Sequence, residues 1–110
     1  MKVKAVSKYI RISHRKVNRV LCLVREKGAK EAMTILKFLP HAGAKAAYET
    51  LKSAIANAKH NYKLDAGSLV VAECYSGPST PMKRFRAASR GRAHHIMKRA
   101  CHITMIVEAK

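Results

Sequence analysis

Acid is scarce in this chain. Its 110 residues hold 6 Asp and Glu against 23 Lys and Arg. No acid precedes Glu26, and none lies between Glu73 and Glu108. So thin a supply gives no paired carboxylates at a catalytic spacing. A Gly-rich phosphate loop and a nucleophile elbow are also missing, so catalysis is not expected. Gly77-Pro78-Ser79 reads as a bend. Tryptophan is absent, and there are only two Phe and four Tyr. Reading single-stranded RNA by stacking bases calls for more aromatic platforms than that. Cysteines are few and odd in number: Cys22, Cys74 and Cys101 stand far apart among apolar neighbours. With no Cys-x2-Cys pair, buried reduced thiols are expected, and Cys22 is placed beside the apolar stripe of a helix. His94-His95 and Cys101-His102 lack the paired short spacings of structural zinc, and adjacent residues on a strand face opposite ways. Neither a metal nor a cofactor is expected. No run approaches the roughly 18 consecutive apolar residues of a membrane span. No apolar segment follows the first lysines as in a secretory leader, so use in the compartment of synthesis is expected. Helix-turn-helix, zinc-finger and basic-zipper patterns are lacking, which argues against sequence-specific DNA reading.

What the chain has in excess is positive charge. The formal net charge is +17 and the pI about 10.4. That imbalance repels itself in any compact state until a polyanion neutralises it. Nucleic acid, an anionic membrane surface and an acidic protein all qualify. The two acid-free blocks lie at the ends of the chain, so the ends face the polyanion and the middle is an ordinary soluble surface. At 48% hydrophobic residues, the chain supports one modest core in one domain, residues 1–110.

Periodicity predicts the elements. Val3 to Ile12 alternates in part and reads as a strand. Ser13 is positioned to cap a helix whose stripe is Val17, Val20, Leu21 and Val24, with Gly28 ending it. Arg15, Lys16 and Arg19 lie off that stripe. A second helix fits Lys30 to Leu39, with Ala32, Ile35, Leu36 and Leu39 inward, and Pro40 stops it. A third fits Gly43 to His60 on a stripe of Ala44, Ala47, Tyr48, Leu51, Ala54, Ile55 and Ala58, with Asn61 at a left-handed end. Leu69 to Tyr75 reads as a strand buried on both faces or nearly so. His102 to Glu108 reads as another, with Ile103, Met105 and Val107 alternating inward. The expected fold class is α+β: a small antiparallel sheet packed with three helices.

Between the last two strands lie Ser76 to Cys101. Within them, "MKRFRAASRGRAHHIMKR" (Met82 to Arg99) holds seven Lys or Arg and no acid. Disorder fits the charge but not Phe85, Ile96 and Met97. A helix over Arg86 to Met97 fits the propensities but sets Gly91 in its middle, at a cost of about 1 kcal/mol. A projecting β-hairpin over 76–101 uses Gly91 better, with Arg90-Gly91 as the turn. At roughly 3.3 Å per residue, ten residues per arm reach about 30 Å. Such a ribbon is marginal alone, so ordering by a phosphate-bearing partner is expected.

Three stretches bring a family into view: "SAIANAKHN" (Ser53 to Asn61), "GP…MKR" (Gly77 to Arg84) and "GRAHHIMKRACHIT" (Gly91 to Thr104). With "YIRISHRKVNRVLCLVREK" (Tyr9 to Lys27), they make the chain resemble ribosomal large-subunit protein twenty-two, of bacterial or organellar type. His14 stands where the family commonly has Pro, and Ala87-Ala88 where it often has Pro-Arg. Thr80-Pro81 reads as an insertion that unsettles the register of the arm. The resemblance implies a structural constituent of the large ribosomal subunit, with an α+β body on the subunit surface. It also implies a long hairpin running through ribosomal RNA, its tip lining the nascent-peptide exit tunnel, where macrolides bind nearby.

The residues expected to contact RNA are therefore Lys83, Arg84, Arg86, Arg90, Arg92, Lys98 and Arg99 on the arm. Arg11, Arg15, Lys16 and Arg19 form a second face at the strand–helix junction. Arg90, Gly91 and Arg92 are expected at the tunnel tip. Phosphate and shape contacts suit these side chains better than base readout. Large-subunit ribosomal RNA, neighbouring ribosomal proteins and the nascent peptide are the expected partners, without membrane contact or homo-oligomer. A free-standing basic nucleic-acid binder, with the arm as helix or tail, is the competing reading. A membrane-active cationic protein is a third, but it requires a broad apolar helix face that the core-type stripes do not supply.

Overall fold

The computed structural model describes residues 2–109 except 88, and side chains throughout those residues except at 66 and 94. The elements run β1 (Lys2–Ile10), α1 (His14–Leu21), α2 (Ala29–Phe38), α3 (Ala42–Asn61), β2 (Leu69–Pro78), β3 (Met82–Ala87), β4 (Ala93–Lys98) and β5 (Cys101–Ala109). β1, β5 and β2 form an antiparallel sheet in that order, and β3 and β4 form a separate two-stranded ribbon. The architecture is α+β: three helices on a small antiparallel sheet, with a long hairpin beyond it.

β5 is central because it is the most apolar strand. Cys101, Ile103, Met105 and Val107 are all fully buried. β1 presents Val3 and Ala5 to the same core, and β2 presents Leu69, Val71 and Cys74. The alternation in β2 buries one face only. This corrects the expected two-sided burial. The run Leu69-Val70-Val71 reads as doubly buried because a bulge at Ala72, between the Val71↔Val107 and Glu73↔Ile106 pairs, interrupts the period of two.

α3 lies across β1 and β5. Its inner face is small, with Ala44, Ala47, Ala54 and Ala58 around Leu51, all buried, so the helix approaches closely. Thr50 is the buried polar residue on this face. Its hydroxyl donates to the Ala46 carbonyl oxygen at 2.9 Å and lies 2.7 Å from Ser7 Oγ on β1. Tyr48 and Ile55 are only partly buried.

Helix ends depart from expectation where tertiary pairing competes. Ser13 occupies the N-cap position of α1 but makes no side-chain cap bond; its carbonyl accepts from Lys16 and Val17. α1 ends at Leu21, well before Gly28. Glu26, at φ 62, turns the chain onto the free edge of β2. There the Glu26 amide donates to the Val71 carbonyl (3.1 Å), and the Val71 amide to that of Lys27 (2.9 Å). Edge pairing replaces the last helical turn, and Gly28 becomes the N-cap of α2. Leu39 is extended rather than helical (φ -76, ψ 131), as the following Pro40 requires. The left-handed residue after α3 is Lys63 (φ 53); Asn61 is still helical.

The long axis is 62 Å against 25 and 16 Å, and the radius of gyration is 16.9 Å. A compact chain of this length would have about 13 Å. The excess comes from the ribbon.

Candidate nucleic-acid interface

The arm continues the sheet by way of an irregular joint. β2 and β5 pair as far as Pro78↔Cys101, and the Ser79 amide donates to the Ala100 carbonyl at 3.0 Å. Pairing resumes at Met82↔Lys98 and runs to Ala87↔Ala93. The β2 side thus carries one residue more than the β5 side, and the surplus falls at Thr80-Pro81. The odd residue is accommodated in the joint at 79–81, between the two sheets, and the register beyond it is regular.

The helical alternative for Arg86 to Met97 is excluded, since β3 and β4 occupy that stretch. The turn holds Arg90 (φ 62, ψ 34) and Gly91 (φ 70) together in the left-handed region. Gly91 has open space around it and no steric reason to avoid that conformation. Ala88, which with Ala87 stands at the expected Pro-Arg position, lies outside the described residues, as does the side chain of His94.

Opposed residues on paired strands share a face, and successive residues alternate. The register therefore sorts the arm. One face carries Met82, Arg84, Arg86, Ile96 and Lys98. The other carries Lys83, Phe85, Ala87, Ala93, His95 and Met97. The Arg84 guanidinium folds back on its own face, donating to the Lys83 carbonyl (2.8 Å) and toward Met82 Sδ (3.6 Å). On the opposite face Phe85 and His95 meet with ring centroids 4.9 Å apart. All seven arm cations are exposed. Among the described residues the one ion pair is Lys2–Glu73 (3.7 Å), between two half-exposed side chains. The arm cations therefore have no described acid beside them.

Arg15, Lys16 and Arg19 project from the exposed side of α1, and Arg11 from the turn before it. Lys16 and Arg19 line a cleft of about 290 Å³ together with Ile12, Val20, Leu23, His41, Ala42 and Gly43. His41 was not singled out in the sequence; its place at the start of α3 brings it to this cleft. The Phe85–His95 pair was missed too. Its signal is the symmetry of the arm about Arg90, which pairs residues whose numbers sum to 180, as in Phe85↔His95.

The two basic regions are mechanically joined. At the arm's root, the Ser76 amide donates to Asn18 Oδ1 (3.1 Å), and its hydroxyl lies within reach of both Asn18 Oδ1 (2.8 Å) and the His14 carbonyl oxygen (3.0 Å). At the start of β5, a bulge sets Lys8 and Tyr9 against His102. Tyr9, at φ 58, donates its amide to His102 Nδ1 (3.1 Å), and the two rings pack edge to face at 5.0 Å. Nδ1 is thus the acceptor nitrogen. Cys101 faces the core and His102 faces Tyr9, so they do not converge. Among the described residues, no three His, Cys, Asp or Glu side chains gather as a metal site would require.

Two of the three thiols are buried, as expected, but Cys22 is exposed. α1 ends at Leu21, so Cys22 falls at the helix end rather than on a continuing helix beside the stripe. Burial pushes the Cys74 and Cys101 thiols above the ordinary value; at Cys74 the neighbouring Arg25 opposes it. Arg25 is engaged internally, donating from Nε to the Cys74 carbonyl (3.1 Å) and approaching Cys22 Sγ at 3.6 Å.

The arm, the second basic face and their common root all lie inside one matched region. The profile of the family described as "Ribosomal protein L22p/L17e" matches residues 5–108. "Large ribosomal subunit protein uL22" of Clostridium novyi is 44% identical over 110 residues, covering 100% of this chain and 99% of that protein. The protein of the same name from Nostoc punctiforme is 44% identical over 107 residues, 97% of this chain and 91% of the relative. "Large ribosomal subunit protein uL22c" of Thalassiosira pseudonana is 43% identical over 107 residues, 97% of this chain and 93% of the relative. With similarity running the length of both partners, this chain belongs to the ribosomal protein L22p/L17e family.

Proposed function

We propose that this chain is a non-enzymatic structural constituent of the large ribosomal subunit and binds ribosomal RNA through phosphate and shape contacts. Its relatives carry the large ribosomal subunit in their names. One observation carries the contact reading: the ribbon holds seven exposed Lys and Arg with no described acid paired to them. A two-stranded ribbon with that charge has no core to fold around, and RNA phosphates both neutralise it and accept its donors.

The arm, residues 76–101 of a single domain spanning 1–110, threads the RNA. Lys83, Arg84, Arg86, Arg90, Arg92, Lys98 and Arg99 contact it there. Arg11, Arg15, Lys16 and Arg19 hold a second RNA surface at the body. Arg90, Gly91 and Arg92 stand at the wall of the nascent-peptide exit tunnel, beside the growing chain, while the body meets neighbouring ribosomal proteins. The chain works as one copy per ribosome, in the cytoplasm or in an organelle, without a homo-oligomer.

The test is sedimentation with site-directed probing. Large subunits from the source cell should hold about one copy of this chain. A hydroxyl-radical probe tethered at Arg90→Cys, in a background with Cys22→Ser, should cleave RNA lining the exit tunnel. Absence from intact large subunits refutes the ribosomal reading. Cleavage confined to the subunit exterior refutes the placement of the tip.

A further inference from the structure

The register of the arm separates two chemistries. Arg84, Arg86 and Lys98 share one face, whereas the other holds Phe85 opposite His95, with Lys83 as its cation. Phe85 is 68% exposed, on a ribbon that has no core to receive it. Its ring meets that of His95 at 4.9 Å and 59°, which makes a tilted two-ring platform. Toward the tip the next described pair on this face is Ala87 and Ala93, whose small side chains leave that side of the platform open to a flat group. Toward the root lie Lys83 and Met97, which is 46% exposed.

We infer that this second face is a stacking site for one unpaired nucleobase of the bound RNA. The inference rests on the RNA-binding reading above. Aromatic rings accept the face of any base without demanding its sequence. Lys83 is two residues away on the same face and suits the phosphate of the same nucleotide. The cations on the opposite face, with Arg90 and Arg92 at the turn, favour a polyanion over an apolar protein surface. An unpaired nucleotide joins a flat π face to a negative charge, which is the complement of Phe85, His95 and Lys83. The scarcity of aromatics across the chain argues against stacking as its general mode of recognition. At this one place the hairpin sets two rings together.

The experiment uses full-length protein and a large-subunit RNA transcript, with Phe85→Ala, Phe85→Leu and Phe85→Trp beside an Arg84→Gln/Arg86→Gln control. Phe85 lies outside the core, so the body folds in every variant. With stacking, Phe85→Ala and Phe85→Leu each weaken binding about 5- to 150-fold, the span of one base–aromatic stack. The dependence on salt is unchanged in both, and Phe85→Trp binds at least as well as the parent. In reconstituted subunits, one unpaired base along the arm gains chemical reactivity in Phe85→Leu. Equal affinity of Phe85→Leu and parent overturns the inference, because bulk alone then suffices. So does a photo-crosslinker at position 85 that joins protein rather than RNA. A salt-independent affinity of the parent itself would instead count against the RNA-binding reading, which separates the two failures.

Discussion

Asn18 Oδ1, on α1, accepts the Ser76 amide at 3.1 Å and lies 2.8 Å from the Ser76 hydroxyl, at the root of the arm. Ser76 is 8% exposed, so these groups have little water to turn to. One amide side chain thus couples the helix that bears Arg15, Lys16 and Arg19 to the strand that launches the ribbon.

Asn18→Ala is expected to destabilise the fold by about 1–3 kcal/mol, because it strands a buried donor rather than removing a pair. Urea denaturation with an unchanged m-value checks it. A variant as stable as the parent would show that the coupling carries no energy.

Charge and structure separate in the arginines. Arg84→Gln/Arg86→Gln should lower RNA affinity and reduce the slope of log affinity against log salt by about 1.4–1.8, two phosphate contacts' worth. Arg25→Gln should leave that slope alone and lower stability, since Arg25 already bonds the Cys74 carbonyl. Binding titrations at several salt concentrations decide. Equal slopes for parent and double variant would remove both side chains from the interface.

Hydrogen exchange should divide the free protein in two. Amides of β5 sit at the centre of the body sheet and are expected to exchange slowest. Amides of β3 and β4, in a two-stranded ribbon without a core, should exchange orders of magnitude faster and become protected in the assembled subunit. Equal protection of ribbon and body in dilute buffer would mean the arm needs no partner.

Truncation of the core and of the arm should differ in kind. Met105 is fully buried, and Met105→Ala is expected to cost about 2–5 kcal/mol. Phe85→Ala, on an exposed ribbon, should cost under about 0.5 kcal/mol in the free protein. Thermal melts of both variants test the contrast, and a large loss from Phe85→Ala would mean the ring packs against the body.

The thiols report burial. At neutral pH one thiol per chain, Cys22, should alkylate rapidly, while Cys74 and Cys101 stay protonated and protected. Their folded values lie above the ordinary 9.0. The stability they contribute is therefore present below about pH 9 and lost as pH rises through the raised folded values. Urea midpoints of the parent should fall more steeply above pH 9 than those of Cys74→Ala. Three equally fast thiols at pH 7 would contradict the buried placement.

Most of the body was legible in the chain. Period-3.6 stripes located all three helices, and alternation located β5, because each buries one continuous apolar face. The ends were less legible. Gly28 is as good a helix terminator as a helix cap, and only the pairing of Glu26 and Lys27 with Val71 chooses between them. Cys22, beside a stripe, was expected to be buried because nothing local shows that α1 stops at Leu21. The bulge at Ala72 hid the one-sided burial of β2.

The arm divides along the same line. Its charge, its lack of acid and the glycine at its turn are properties of composition, and they alone required an anionic partner and disfavoured burial. Which residues share a face was decided by the tertiary structure. Strand pairing shifts both faces at once when the register moves by one residue, and the surplus residue at Thr80-Pro81 separates the register of the body sheet from that of the ribbon. Charge is summed over the chain wherever it falls, so sequence suffices for it. A surface is made by residues that only folding brings side by side, and Phe85 meets His95 only there.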